Sequence, residues 1–158
     1  MNFKTLESNS ERHTKQIAEG VAKLLQGGDV IGLQGDLGAG KTTFVQGLAS
    51  GLHLKEGYAV SSPTFTWVHE YPCEKFMLYH IDFYRLEKSA DAYSLGLERC
   101  FDKNSIVVVE WFEKARDVLP ENIFEIHFQW KDLQSRTITI GCHSESEARG
   151  ISHNLIFF

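Results

Sequence analysis

Residues 35 to 43, Gly35-Asp36-Leu37-Gly38-Ala39-Gly40-Lys41-Thr42-Thr43, fit the pattern G-x-x-x-x-G-K-[ST]. Gly35, Gly40, Lys41 and Thr42 hold its fixed positions. A polyphosphate is a dense cluster of anionic oxygens and needs many donors at short range. A loop of small residues lets backbone N–H groups turn inward and approach closely. Gly35, Gly38 and Gly40 supply the backbone freedom such a nest requires, and Ala39 is small enough to lie within it. Lys41 then reaches the β- and γ-phosphates as a point charge, and the Thr42 hydroxyl can ligate Mg²⁺. Thr43 follows at the height of the α-phosphate, where the positive end of the next helix also points.

Further acid and hydroxyl groups stand at ends of elements. Glu110 closes the apolar run Ile106-Val107-Val108-Val109, which suits a strand buried on both faces. Ligands of open α/β sheets lie beyond the carboxyl ends of strands. A carboxylate there can hold Mg²⁺, as an Asp more commonly does in phosphoryl-transfer sites; Glu reaches one methylene further. Asp82 ends a second strand and could support Mg²⁺ or orient an attacking water. Thr64, just after Pro63, stands where a segment could respond to the γ-phosphate. Tyr84, Arg85 and Trp111 flank these positions, and His80 reads as a packed strand residue.

The elements that must position these groups follow from periodicity. Phe3 to Leu6 reads as a short edge strand. Ser8-Asn9-Ser10-Glu11 has the spacing of a capping box, opening a helix with Ile17, Val21, Leu24 and Leu25 on one side and Gly27-Gly28 at its end. Val30 to Gln34 is the strand before the loop. Phe44, Val45, Leu48, Ala49 and Leu52 form one face of the helix after it. Thr64 to Phe83 reads as a β-hairpin turning at Pro72 to Lys75, and Ser89 as the cap of a short helix. Phe124, Ile126, Phe128 and Trp130 alternate with polar residues and pair back through Arg136 to Ile140. Cys142 to Gly150 reads as a polar connector, and Leu155 to Phe158 as an apolar end that docks on the body. The implied fold is α/β: a P-loop NTPase-like mixed sheet with a parallel core (30–34 and 106–110), antiparallel hairpins extending it, and helices on both faces.

Composition bounds the function. The chain has 158 residues, the size of one domain, with 42% hydrophobic and 23% charged residues and a net charge of −5. That charge argues against a broad nucleic-acid footprint. No apolar run is long enough to span a membrane, and no signal peptide is evident. Three widely spaced cysteines suit free thiols in a reducing, cytoplasmic setting. The seven histidines lack zinc-ligand spacing. A GTPase would need an [NT]-K-x-D motif, which is absent. A small-molecule kinase would need an Arg-bearing lid, whereas Arg85, Arg99, Arg116 and Arg136 are scattered. A nucleotide-dependent interaction module without turnover remains an alternative to an ATPase.

Four blocks in this order are more specific than the loop alone: residues 35–43, Ser62-Pro63-Thr64-Phe65, His80-Ile81-Asp82-Phe83-Tyr84-Arg85-Leu86, and Val109-Glu110-Trp111. Together they resemble the TsaE (formerly YjeE) family, bacterial P-loop ATPases of tRNA threonylcarbamoyladenosine biosynthesis, over roughly residues 8 to 140. The resemblance implies a cytoplasmic protein that uses ATP with Mg²⁺, releases ADP, and works with TsaB and TsaD. The modification is at N6 of adenosine 37 in tRNAs reading codons that begin with A, with tRNA contacted only through the complex. It also places the adenine near Glu11 and Thr14 and near the turn at Lys131 and Asp132. Catalytic roles then fall to Lys41, Thr64, Asp82 and Glu110, and the metal to Thr42 and Glu110. Low turnover in isolation and stimulation by partners are implied as well.

Overall fold

The structure is a computed structural model and describes residues 1–142. The expected connector after Cys142 and the apolar end at 155–158 lie outside the described residues.

Seven strands form one sheet in the order β1-β7-β6-β2-β5-β4-β3. They are β1 (Asn2–Ser8), β2 (Val30–Gln34), β3 (Val68–Pro72), β4 (Met77–Asp82), β5 (Ser105–Glu110), β6 (Phe124–Trp130) and β7 (Arg136–Cys142). The parallel core is wider than the two strands read from sequence, because β6, β2, β5 and β4 all run the same way. β7 and β3 are antiparallel to their neighbours, and β1 is antiparallel to β7. The sheet is therefore mixed, with a parallel centre and antiparallel margins.

Alternation sends successive β5 residues to opposite faces. Ile106 and Val108 join the core under α1 (Glu11–Ala22) and α2 (Lys41–Gly51). Val107 and Val109 join a second core on the other face. Three 3-10 helices cover that second face, at Ser89–Leu95, Leu97–Cys100 and Phe112–Val118. Both α-helices thus share one face. They meet closely because Gly47 carries no side chain: a Cβ there would lie 2.5 Å from the Lys15 carbonyl oxygen and 2.6 Å from the Ala18 Cβ.

Several local readings change. Ser10, not Ser8, caps α1; its hydroxyl accepts from the His13 N–H at 3.0 Å. Ser8 ends β1, and its hydroxyl pairs with that of Thr14 at 2.6 Å, because tertiary burial takes the hydroxyl that the capping pattern would use. α1 stops at Ala22, well before Gly27-Gly28, and Leu24 and Leu25 follow in tight turns. Thr64 to Trp67 is not strand despite its β-forming residues. The Thr66 and Trp67 N–H groups both turn back to the Pro63 carbonyl, and Trp67 adopts φ 69°. Here a proline-initiated turn overrides strand propensity. Ser89 is the first residue of a 3-10 helix and not a cap; Lys88 holds the cap position without a side-chain bond.

The topology delivers chemistry to one edge. The parallel strands end at Gln34, Asp82, Glu110 and Trp130, and β1 ends on the same edge, since Ser8 pairs with Arg136. β3 and β7 begin there.

Gly47→Ala tests the helix contact. Alanine is the better helix former by about 1 kcal/mol, yet the added methyl meets backbone. The expected result is a net loss of about 1–3 kcal/mol in chemical denaturation. A gain in stability would show that α1 and α2 separate without cost.

Candidate functional site

A cleft of about 390 Å³ opens on this carboxyl edge, within the range of small-ligand sites. Its walls include Gly38, Gly40, Lys41, Thr42 and Thr43 from the loop and α2, Ser62 and Thr64 from the segment before β3, and Asp82, Tyr84, Glu110 and Trp111 from strand ends. Glu11, Leu37, Trp130 and Arg136 complete it.

The loop between β2 and α2 is shaped by positive-φ glycines at Gly38 and Gly40. Gly35 is not in that conformation; there the small residue allows close approach to Phe128, whose Cβ would lie 2.9 Å from an added Cβ. Ala39 is buried under the loop, with its N–H bonded to the Asp36 carbonyl at 3.0 Å. The Lys41 ammonium sits inside the curl of the loop. It donates to the carbonyls of Gly35 and Asp36 and lies 4.4 Å from the centroid of the Trp111 ring. Burial pulls its pKa below the ordinary lysine value, against the upward pull of Glu110, Glu113, Asp82 and Asp36.

Glu110 joins three elements. Its Oε1 accepts from the Thr42 hydroxyl at 2.9 Å, and Oε2 lies 3.3 Å from His80 Nε2 and 3.5 Å from the Ser62 hydroxyl. Burial alone would raise its pKa. The His80 hydrogen bond and charge, the Thr42 hydroxyl and Lys41 outweigh that and hold it below the ordinary carboxylate value. The group is therefore an anion at neutral pH, acting as acceptor. His80 is fully buried and positions this carboxylate from β4.

Asp82 has a different task. Its Oδ2 lies 2.9 Å from the Ser62 hydroxyl and 3.0 Å from the Thr64 hydroxyl, and the two hydroxyls, 2.7 Å apart, share their two protons over these three contacts. Its Oδ1 accepts the Tyr84 N–H at 2.8 Å. Asp82 is thus the tether of residues 62–64, and this segment lies over the Thr42–Glu110 pair. Thr42 and Glu110 form an all-oxygen pair of the kind that suits a hard divalent cation shared with phosphate oxygens. Among the described residues there is no cluster of three or more His, Cys, Asp or Glu that could cage a metal without such a co-ligand.

A match to the family described as "Threonylcarbamoyl adenosine biosynthesis protein TsaE" spans residues 8–138, and its span holds every strand end that walls the cleft. The chain belongs to the TsaE family. It is 40% identical over 126 residues to the tRNA threonylcarbamoyladenosine biosynthesis protein TsaE of Bacillus subtilis, covering 80% of this chain and 77% of that protein. The Aquifex aeolicus protein of the same name is 47% identical over 107 residues, 68% of this chain and 75% of its own. The Treponema pallidum one is 38% identical, covering 84% of this chain and 96% of its own. The fold resembles the crystal structure of Bacillus subtilis YdiB, with a TM-score of 0.78 at 30% identity over 99% of this chain and 95% of that one.

Within this TsaE fold not every residue singled out from the sequence reaches the cleft. Glu11 does, as the first residue of α1. Thr14 is buried against Ser8 and Ser10, and its hydroxyl is spent there. Lys131 points to solvent and pairs with Glu7 at 2.6 Å; Asp132 bonds the N–H groups of its own turn. Neither walls the cleft. Arg85 lies beyond the cleft against the rings of Phe65 and Trp67, at 5.3 and 5.7 Å. Sequence reasoning named Ser62 only within the Ser62–Phe65 block, and it missed Trp130 and Arg136 as cleft residues. For Arg136 a signal existed: it shares alternation parity with Ile138 and Ile140, so a charge falls in an inward register.

Asp82→Ala should release the 62–64 segment. The Thr66 and Trp67 amides are expected to exchange with solvent about ten times faster or more, as loss of hydrogen bonds to a charged acceptor requires. Amides of α2 should keep their protection. Unchanged exchange at both amides would show that Asp82 does not hold the segment.

Proposed function

We propose that this chain is a Mg²⁺-dependent ATPase of tRNA threonylcarbamoyladenosine formation, acting at N6 of adenosine 37 with TsaB and TsaD in the cytoplasm. The observation that carries the catalytic part is the Thr42–Glu110 contact of 2.9 Å beside the Lys41 ammonium, on a loop of P-loop sequence. Family membership and the names of the relatives support the pathway. The acidic net charge supports contact with tRNA through partners rather than directly.

The residues divide the work. Backbone N–H groups of the loop and the α2 N-terminus bind the phosphate chain. Lys41 is placed to neutralise charge that develops on the outer phosphates during transfer. Thr42 and Glu110 would hold Mg²⁺, which when bound screens phosphate charge and orients the terminal phosphate. Ser62 and Thr64, held by Asp82, cover the metal side and are positioned to respond to the terminal phosphate. Phe65, next in sequence, is 81% exposed. A change in residues 62–64 would therefore move a large apolar surface that a partner can read. A site completed in trans gains about 10³- to 10⁵-fold in other P-loop enzymes, which fits low activity alone.

The test is phosphate release from ATP by the purified chain, with and without the TsaB–TsaD pair. Wild type is expected to be slow alone and faster with the pair. Lys41→Ala should lose about 10²- to 10³-fold in rate. Glu110→Gln should lose Mg²⁺-dependent turnover more than Mg²⁺-free nucleotide binding. Near-native turnover by Lys41→Ala would end the ATPase reading. Full activity without the pair, with no nucleotide-dependent association, would end the partner reading.

A further inference from the structure

Besides Lys41, a second buried cation has no ion-pair partner among the described residues. Arg136, the first residue of β7, is 4% exposed. Its Nη1 donates to the Ala39 carbonyl at 3.1 Å, and the guanidinium lies 4.6 Å from the centroid of the Trp130 ring. Its Nε is buried with no acceptor. Among the described residues no carboxylate lies within ion-pair distance of it. A buried guanidinium lacking a counter-charge opposes folding, so its place at a cleft wall points to an anion supplied from outside the described residues.

Its place in the sheet says which part of an anion it meets. β6 and β7 lie on one side of β2, and β5 lies on the other. The phosphate loop leaves β2 between these two banks. Thr42 and Glu110 mark the β5 bank; Arg136 and Trp130 mark the opposite one. The guanidinium presses on the loop itself, since a Cβ on Gly40 would lie 2.2 Å from Nη1. Both banks wall the same cleft. A phosphate chain whose metal-bound end lies at Thr42 and Glu110 must carry its other end toward Arg136.

We propose that Arg136 is a nucleotide-binding residue whose guanidinium neutralises the phosphate nearest the nucleoside. This rests on the reading of the cleft as a nucleoside triphosphate site. A guanidinium suits the task because its planar fork matches phosphate oxygens while its face stacks on an aromatic ring. The rival role is a strut that supports the Ala39 carbonyl and the left-handed Gly40. The two roles differ in sign without ligand. Removing a strut loosens the fold, whereas replacing an unpaired buried cation with an apolar side chain of similar length leaves stability equal or higher.

The experiment uses the full chain as wild type, Arg136→Met and Arg136→Lys. Melting temperature is measured without nucleotide, and ADP and ATP affinities by calorimetry at fixed Mg²⁺. Arg136→Met is expected to melt at or above wild type while losing about 10- to 100-fold in affinity, the scale of a charge-assisted hydrogen bond. ADP and ATP should lose the same factor, because they share the phosphate in question. Arg136→Lys should recover part of the loss. A variant Arg136→Met that binds ADP within twofold of wild type overturns the assignment. So does one that melts well below wild type or fails to fold, which would make Arg136 a strut. A wild-type chain that binds neither nucleotide would overturn the nucleotide reading of the cleft, and this assignment with it, and is told apart by the wild-type measurement alone.

Discussion

A carboxylate at the end of a fully buried strand cannot leave water unless donors replace it. Glu110 is in that position, and its donors come from two other elements, Thr42 on α2 and His80 on β4, with the Ser62 hydroxyl 3.5 Å away. Satisfying one anion therefore fixes the start of α2 against two strands. The parallel register makes this reachable: Asp82 pairs with Glu110, and Leu33 does too from the other side. The second acid then stands beside the first but spends its oxygens on Ser62, Thr64 and Tyr84. Two neighbouring carboxylates thus divide the cleft, one facing the loop and one holding its cover.

The sheet explains why the two faces are finished differently. α1 and α2 lie against each other on one face, with Gly47 and Gly51 opposite Lys15, Ala18, Glu19 and Ala22. The other face is closed by 3-10 turns that carry Ala92, Leu97, Phe112 and Ala115 into a smaller core. Gly32 belongs to this arrangement, since the Phe112 ring occupies the volume its side chain would take. The chain leaves β5 through Trp111 at φ 58°, a costly conformation for a bulky residue. That turn brings the indole over Lys41 and beside Tyr84, at ring distances of 4.4 and 5.3 Å.

Much of the site was legible because its signals are local. The Gly-rich loop is nine contiguous residues, and Glu110 announces itself as an acid closing an apolar run. The strands before each were equally plain from their hydrophobic pattern. The errors lie where two local rules compete. Ser8 and Ser10 both fit a cap, and only the packing of Thr14 decides between them. Thr64 to Trp67 reads as strand by residue type, yet Pro63 and the Asp82 tether hold it as a turn. Arg136 was opaque for another reason. Its meaning depends on its register opposite Trp130 and on a loop 97 residues away in sequence, and no window of the chain contains both.

The three tryptophans of the chain all lie along the carboxyl edge. Trp111 stands over Lys41, Trp130 over Arg136, and Trp67 closes the turn that begins at Pro63, with its carbonyl accepting the Asp82 N–H at 3.0 Å. Elsewhere in the described residues the aromatic rings are Phe and Tyr. Indole emission from this protein therefore carries no contribution from α1 or α2, while Trp67 and Trp111 also pack against the second core. The emission comes from both banks of the cleft and from the segment that covers it, each indole beside its own cation: Lys41, Arg136 and Arg85. The molecule holds its own optical gauge of the cleft, with no dye to attach and no other indole in the chain.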